Sequence, residues 1–490
     1  NKSKEQRNLS GGIDYDIYNY AVDPYVTVYH EYISGNFKTT ASAFYIEDTF
    51  SYGNTTTTFG LRNEKFENLN GSGGKFLDMD QQWAPRLGFA WDIGGDGSKK
   101  LYANLGRYYL PVANILNIRL AGAFYADNEN FEYLGQNPDG TPILGESSGL
   151  FIQFDGQEAD PNTIVNQNIK PMYQDEMILG YTFKINNLWT ADINAVYRDM
   201  GRAIEDSAPC QGLDKTAYDQ YGIEDYCFNI STPYVLTNPG SGMVFWHDFG
   251  QGDGLQKLEY SAAELGFPKA KRTYEALNIS VARAYEDNWS IAASYTYSRN
   301  KGNYEGTVRS DYASVESNAG FTTAFDFYSM LEYGSGYLPN DRANVFKVWG
   351  NWGFVKNWNL GWNFYTASGR PISYFGVHPT DENVWIYGGS TFYKDGEPAP
   401  RGSFGRTPWI NSLDLSMQYD LSYKSTITTF RVEVFNVFNS GSSVSVYEEG
   451  ELAEVDYDNV SVTVTPDINY GVPYEFQAPR SVLFTAEITF

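Results

Sequence analysis

In this 490-residue chain the residues suited to chemistry are three histidines, two cysteines and groups of acids and aromatics in polar segments. His30, His247 and His378 are scattered, and no nucleophile or orienting acid stands at a readable spacing from any of them. No Gly-x-Ser-x-Gly elbow occurs, and Gly240-Ser241-Gly242 reads as loop. The expectation is therefore no enzyme, no catalytic residue and no cofactor. Asp155, Glu158 and Asp160 form one acidic group, and Glu448, Glu449, Glu451, Glu454, Asp456 and Asp458 another. Hard oxygen ligands suit calcium, but neither group has the EF-hand spacing, so both read as solvated loop acid and no metal ligand is assigned. Trp246, Tyr374, Phe375, Trp385 and Tyr387 are suited to stacking on a sugar or other flat substrate, and equally to anchoring loops against each other. A disulfide between Cys210 and Cys227 would close a loop of about 17 residues, worth roughly 3 kcal/mol, and suits an oxidising compartment. Two free loop thiols are the alternative.

The elements that would carry these residues are strands. The last ten residues alternate, with Val482, Phe484, Ala486, Ile488 and the terminal Phe490 on one face and a mostly polar set on the other. That pattern suits a strand crossing a bilayer in a closed barrel, and also a half-buried strand of a soluble sheet. Composition favours the barrel: 40 Tyr, 31 Phe and 11 Trp sit in a chain whose mean hydropathy is -0.44. Membrane barrels combine aromatic girdles with a polar interior. No run approaches the roughly 18 apolar residues of a transmembrane helix. A net charge of -25 argues against nucleic-acid binding, which needs a basic face.

Six pairs of alternating runs flank short turns rich in Gly, Asn and Asp, the residues tight hairpins require. They are Thr40 to Phe50 with Thr56 to Phe66, Trp83 to Ile93 with Lys100 to Leu110, and Met172 to Lys184 with Leu188 to Arg198. Tyr274 to Tyr285 pairs with Trp289 to Arg299, Arg342 to Phe354 with Trp358 to Ala367, and Leu413 to Tyr423 with Ile427 to Phe438. Between them run long polar stretches such as Pro111 to Pro171, Gly201 to Arg272 and Asn439 to Arg480. Short periplasmic turns and long extracellular loops are the asymmetry of outer-membrane barrels, and a last strand running inward puts every short turn on the periplasmic side. Weaker strands near Ile13 to Tyr20 and Tyr25 to Ile33 bring the count to roughly fifteen.

Several motifs, in order, resemble those of TonB-dependent outer-membrane transporters of the Oar-like branch. They are Ala43 to Asp48, Phe59 to Glu64, Trp83 to Asp92, Ser294 to Ser298, Ser368-Gly369-Arg370-Pro371, Glu433 to Asn439 and Pro479-Arg480-Ser481 leading to Phe490. The resemblance implies an all-β transmembrane antiparallel barrel of about 22 strands in the complete protein, with residues 1–490 as its C-terminal part. It implies a plug domain, a signal peptide and a TonB box that engages an energy-coupling complex, none of which lies in these residues. It further implies Phe490 as the signal read by the barrel assembly machinery, outer-membrane lipid and lipopolysaccharide as surroundings, and Arg370 where a strand enters an extracellular loop. Arg370 would there either meet a ligand or pair with luminal carboxylates. The function implied is TonB-dependent movement of a bulky substrate across the outer membrane. The rivals are a surface binding or adhesion protein anchored by its barrel, a passive porin and, last, a soluble β-rich enzyme.

Register sets energetic expectations. Leu413, Leu415, Met417, Tyr419 and Leu421 should face lipid, and Asp414, Ser416, Gln418 and Asp420 the interior, with Arg431 inward because Arg at the bilayer midplane costs about 2 to 4 kcal/mol. Leu415→Arg should therefore impair assembly while Ser416→Arg is tolerated. Equal yields of both folded variants in outer-membrane vesicles would contradict the register.

Overall fold

The computed structural model describes residues 2–8, 14–18, 25–138, 141–230, 232–311, 322–456 and 459–490. Thirteen of its strands form one antiparallel array in which each pairs with the next in sequence. They are β1 (Tyr25–Tyr52), β2 (Thr55–Leu69), β3 (Lys75–Asp92), β4 (Lys99–Leu110), β5 (Met172–Lys184), β6 (Trp189–Arg202) and β7 (Arg272–Glu286). The array continues with β8 (Trp289–Gly302), β9 (Asn344–Val355), β10 (Trp358–Ala367), β11 (Ile410–Tyr423), β12 (Thr426–Phe435) and β13 (Ser481–Thr489). All six hairpins read from the sequence are present with their turns. Asp287 and Asn288, at φ 53° and 67°, supply the left-handed pair that matches a two-residue turn to strand twist.

The strand expected over Tyr25 to Ile33 is not a separate membrane strand. It is the outer part of β1, whose 28 residues reach about 90 Å against the 9 to 11 residues a crossing needs. There it pairs with Ala123–Gln136, which pairs with Pro142–Asp155, a hairpin hidden in one of the long connections. The strand expected near Ile13 is seen at Asp14–Tyr18, against the same outer segment, and its flanks lie outside the described residues. Among the described residues, 40–52 of β1 and all of β13 have a sheet partner on one side only.

The faces follow the alternation. Phe430, Val432 and Phe484 are outward and exposed, Phe484 at 75%. Arg431 points the other way and donates to Gln418 Oε1 at 3.0 Å, while Asp420 accepts from Thr429 Oγ1 at 2.7 Å. Inward polar residues thus satisfy one another across strands.

The main hydrophobic core lies outside the barrel wall. Leu213, Leu236, Phe245 and Leu265 from the β6–β7 connection meet Phe325 and Met330 from the β8–β9 connection. Val112, Val165 and Val384 join them from the β4–β5 and β10–β11 connections. Each large side chain buried there contributes about 1.5 to 3 kcal/mol, enough to order long loops as one cap. The helix Cys210–Tyr221 ends at Gly222, whose φ of 69° suits a left-handed cap. Cys210 at its start bonds Cys227, as expected, and Asp214 in its first turns accepts the Cys227 N–H at 2.7 Å. Replacing both cysteines by serine should cost the cap roughly 3 kcal/mol. Hydrogen exchange in residues 210–260 should rise while the heat-modifiable migration of the barrel is unchanged, and unchanged exchange would refute the staple.

Candidate functional site

The inward face of the wall carries a polar ladder that spans five strands. Asp192 on β6 is its hub, accepting from Thr182 Oγ1 of β5 at 2.6 Å and from Asn194 Nδ2 at 2.7 Å. Tyr102 of β4 reaches the same carboxylate at 3.0 Å by crossing over β5. It can do so because β5 has Gly180 beneath the ring, where a Cβ would lie 2.2 Å from the Tyr102 ring. Asn194 accepts from Asn278 of β7 at 2.8 Å, and Asn278 accepts from Thr296 of β8 at 2.7 Å.

At the far end of the ladder the wall opens into a pocket lined by Tyr274, Ser294, Thr296, Ser298, Asn340, Arg342, Val345 and Lys347. Strand register positions them: Ser294 stands opposite Lys347, and Thr296 opposite Val345. Beside the pocket Arg198 pairs with Glu176 at 2.5 Å and lies 5.5 Å from the centre of the Tyr274 ring. Arg342 donates to the Ser368 carbonyl at 2.9 Å. The lining is thus rich in hydroxyls, with two cations and no carboxylate. Sequence reading did not single out Arg342, Lys347 or the Tyr102–Asp192 bridge, whose signal is the pairing of β8 with β9 and the small residue in β5.

The residues singled out from the sequence sit in the cap above. Arg370 is 5% exposed and forms an ion pair with Glu448, a loop acid, rather than with the luminal carboxylates expected as its alternative partners. Glu448 also accepts the Ser373 N–H. Gly369 is required beside it, since a Cβ would stand 1.6 Å from the Thr407 carbonyl oxygen. The Ser-Gly-Arg-Pro segment thereby ties the β10–β11 connection to the β12–β13 connection. Tyr374 donates to the Gly450 carbonyl at 2.9 Å and lies 4.7 Å from the Tyr470 ring, and burial pushes its hydroxyl up to about 12. Phe375 packs on Phe392. Trp385 donates to the His378 carbonyl at 2.8 Å, and Tyr387 to Asp326 at 2.8 Å. Trp246 is half-buried with Lys257 5.5 Å from its ring.

The reading of the acids as solvated fails for two of them. Glu448 and Glu451 are 1% and 3% exposed, and Glu451 accepts the N–H groups of Val377 at 2.8 Å and Asp395 at 2.6 Å. Buried carboxylates of this kind hold loop backbone that has no ladder partner. Glu158 likewise holds Ser72 and Asn70, at 2.6 Å and 2.9 Å. Among the described residues no group of three or more His, Cys, Asp or Glu is arranged to hold a metal ion, and Asp458 lies outside them.

Each histidine has a partner within the protein. His30 bonds Asp127 at 2.7 Å, and His378 lies 3.3 Å from Glu332. His247 meets the Tyr226 hydroxyl at 2.9 Å and the Phe249 ring at 5.0 Å, and burial draws its pKa down to about 4. The unfolded cap therefore binds more protons than the folded one between about pH 4 and 6.5, so stability contributed there is lost as pH falls through that window. Hydrogen exchange in residues 243–260, taken relative to the intrinsic amide rate at each pH, should rise from pH 6.5 to 4, and His247→Gln should flatten that rise. An identical pH profile in the variant would exclude His247 as its source.

No family model matches the sequence. The chain is 27% identical to the TonB-dependent transporter Oar of Myxococcus xanthus over 92% of its own length and 43% of that protein's. It thus spans less than half of the curated relative it matches. Among solved structures, the ferric citrate transporter FecA in unliganded form aligns at a TM-score of 0.46 and 13% identity, over 99% of this chain and 53% of that one. The FrpB iron transporter of Neisseria meningitidis aligns at 0.47 and 9%, over 97% and 54%. By its sequence the chain is a relative of the TonB-dependent transporter Oar, and it is an antiparallel β-barrel protein of the outer membrane.

Proposed function

We propose that residues 1–490 are the C-terminal part of the barrel of a TonB-dependent transporter that moves a bulky substrate across the outer membrane. The observation that carries this reading is the sequence match to Oar along nearly the whole chain. A polar luminal wall beneath an ordered extracellular cap supports it, since a solute captured by the cap would next meet hydrogen-bonding groups rather than an apolar core. The one-sided pairing of β1 and β13 supports a larger barrel, about 22 strands by resemblance, closed by strands from the remainder of the full-length protein. In this reading that remainder also carries the signal peptide, the plug and the TonB box. Phe490, 93% exposed, is the end presented to the barrel assembly machinery, and the outward aromatic face meets lipid and lipopolysaccharide. Trp246, half-buried at the cap, is the sequence-nominated aromatic best placed to touch a ligand.

Deleting the TonB box from the full-length protein should abolish energy-dependent uptake. The check is growth of otherwise identical strains across a panel of sole nutrient sources, with surface expression matched. Uptake that persists unchanged without the TonB box would favour a porin, and absence of uptake in both strains alongside retained surface binding would favour a barrel-anchored adhesion protein.

A further inference from the structure

We infer that the pocket at the luminal mouth, lined by Arg342, Lys347, Tyr274 and Ser294, binds an oxyanion group: a carboxylate, sulfate or phosphate carried by a solute. The inference deepens the transport reading and rests on it only for the claim that such a solute is cargo. Acids outnumber bases by 60 to 35 in this chain, yet the pocket lining holds two cations and no acid. Neither cation is neutralised: among the described residues no carboxylate lies within ion-pair distance of Arg342 or Lys347. Three neighbouring arginines are already committed to carboxylates. Arg198 holds Glu176, Arg370 holds Glu448 and Arg406 holds Asp341.

The donors that line the pocket are only partly used by the protein. Arg342 uses one nitrogen on the Ser368 carbonyl, which anchors the guanidinium and leaves its other N–H groups available. Lys347 lies 5.8 Å from the centre of the Tyr365 ring, a contact that steadies the side chain without neutralising it. Thr296 donates to Asn278 and Ser298 to the Arg342 carbonyl, so their protons are spent. Among the described residues the hydroxyls of Ser294 and Tyr274 have no such acceptor. A planar fork, an ammonium and two hydroxyls facing one space form the donor set that charged oxygens satisfy and water or a neutral sugar satisfies less well.

The test uses the full-length protein in lipid nanodiscs at constant ionic strength, titrated calorimetrically with glucuronate, glucose, inorganic sulfate, inorganic phosphate and chloride. Glucuronate should bind at least tenfold more tightly than glucose, and sulfate or phosphate should compete with it where chloride does not. Lys347→Met and Arg342→Gln should each remove that preference while keeping heat-modifiable migration, and Lys347→Arg should retain it. Equal affinity for glucuronate and glucose in the unmodified protein, or a preference unchanged in both folded variants, would overturn the proposal. Binding is read without energy coupling. Anion binding with uptake independent of the TonB box sinks the transport reading alone, and TonB-dependent uptake without anion binding sinks the pocket alone.

Discussion

Every backbone N–H and C=O that lies in hydrocarbon must find a partner in protein, and this requirement organises the molecule. It forces the membrane segment into strands that pair with their sequence neighbours, and it forces the turns at one end to be short. Alternation then follows from the pleat: once a strand is paired, each second side chain meets lipid and the others meet the interior. Leu415 and Val434 face each other on one side of the β11–β12 pair, and Gln418 and Arg431 on the other. The same rule leaves the interior polar, because the residues facing it need each other more than they need an apolar environment.

The cap obeys a different balance. Its loops have few ladder bonds, so order comes from an apolar core, a disulfide and buried charge. Arg370 and Glu448 exchange water for each other and for the backbone of the loops they join. Such a pair adds little net stability on its own, because desolvation offsets attraction, but losing one member leaves a costly lone charge. Close approaches are bought with glycine: Gly369 beneath Thr407 and Gly450 beneath the Tyr374 ring leave no room for a side chain. The arrangement is specific because so many of its parts fail separately.

The wall was legible because its signal is local. Alternation in β11, β12 and β13 and the Asp287-Asn288 turn encode strand, face and hairpin within a dozen residues. The outer part of β1 was misjudged because its alternation continues past the membrane, and nothing local marks where hydrocarbon ends. The cap was opaque for the opposite reason. Glu448 and Glu451 look like solvated acids in a run of acids, and only partners about 75 positions away make them interior. Cys210 and Cys227 were readable as a pair since few alternatives exist in a two-cysteine chain. The luminal pocket fell between these cases: β8 was readable as a strand, but the meeting of Ser294 with Lys347 depends on the register across a long connection.

The shared core of the cap has a consequence for how the cell surface is seen. Residues from several connections contribute to one folded body, so its outer surface is a tertiary epitope rather than a set of independent loops. An antibody or phage fibre that recognises the native protein reads side chains far apart in the chain, and a synthetic peptide copying one connection lacks the neighbours that shape it. Surface positions of that body are free to vary under such pressure, as long as the change does not reach Leu213, Phe245 or Phe325 beneath. The barrel end of the molecule is thereby constrained by lipid, and the exposed end by its own interior.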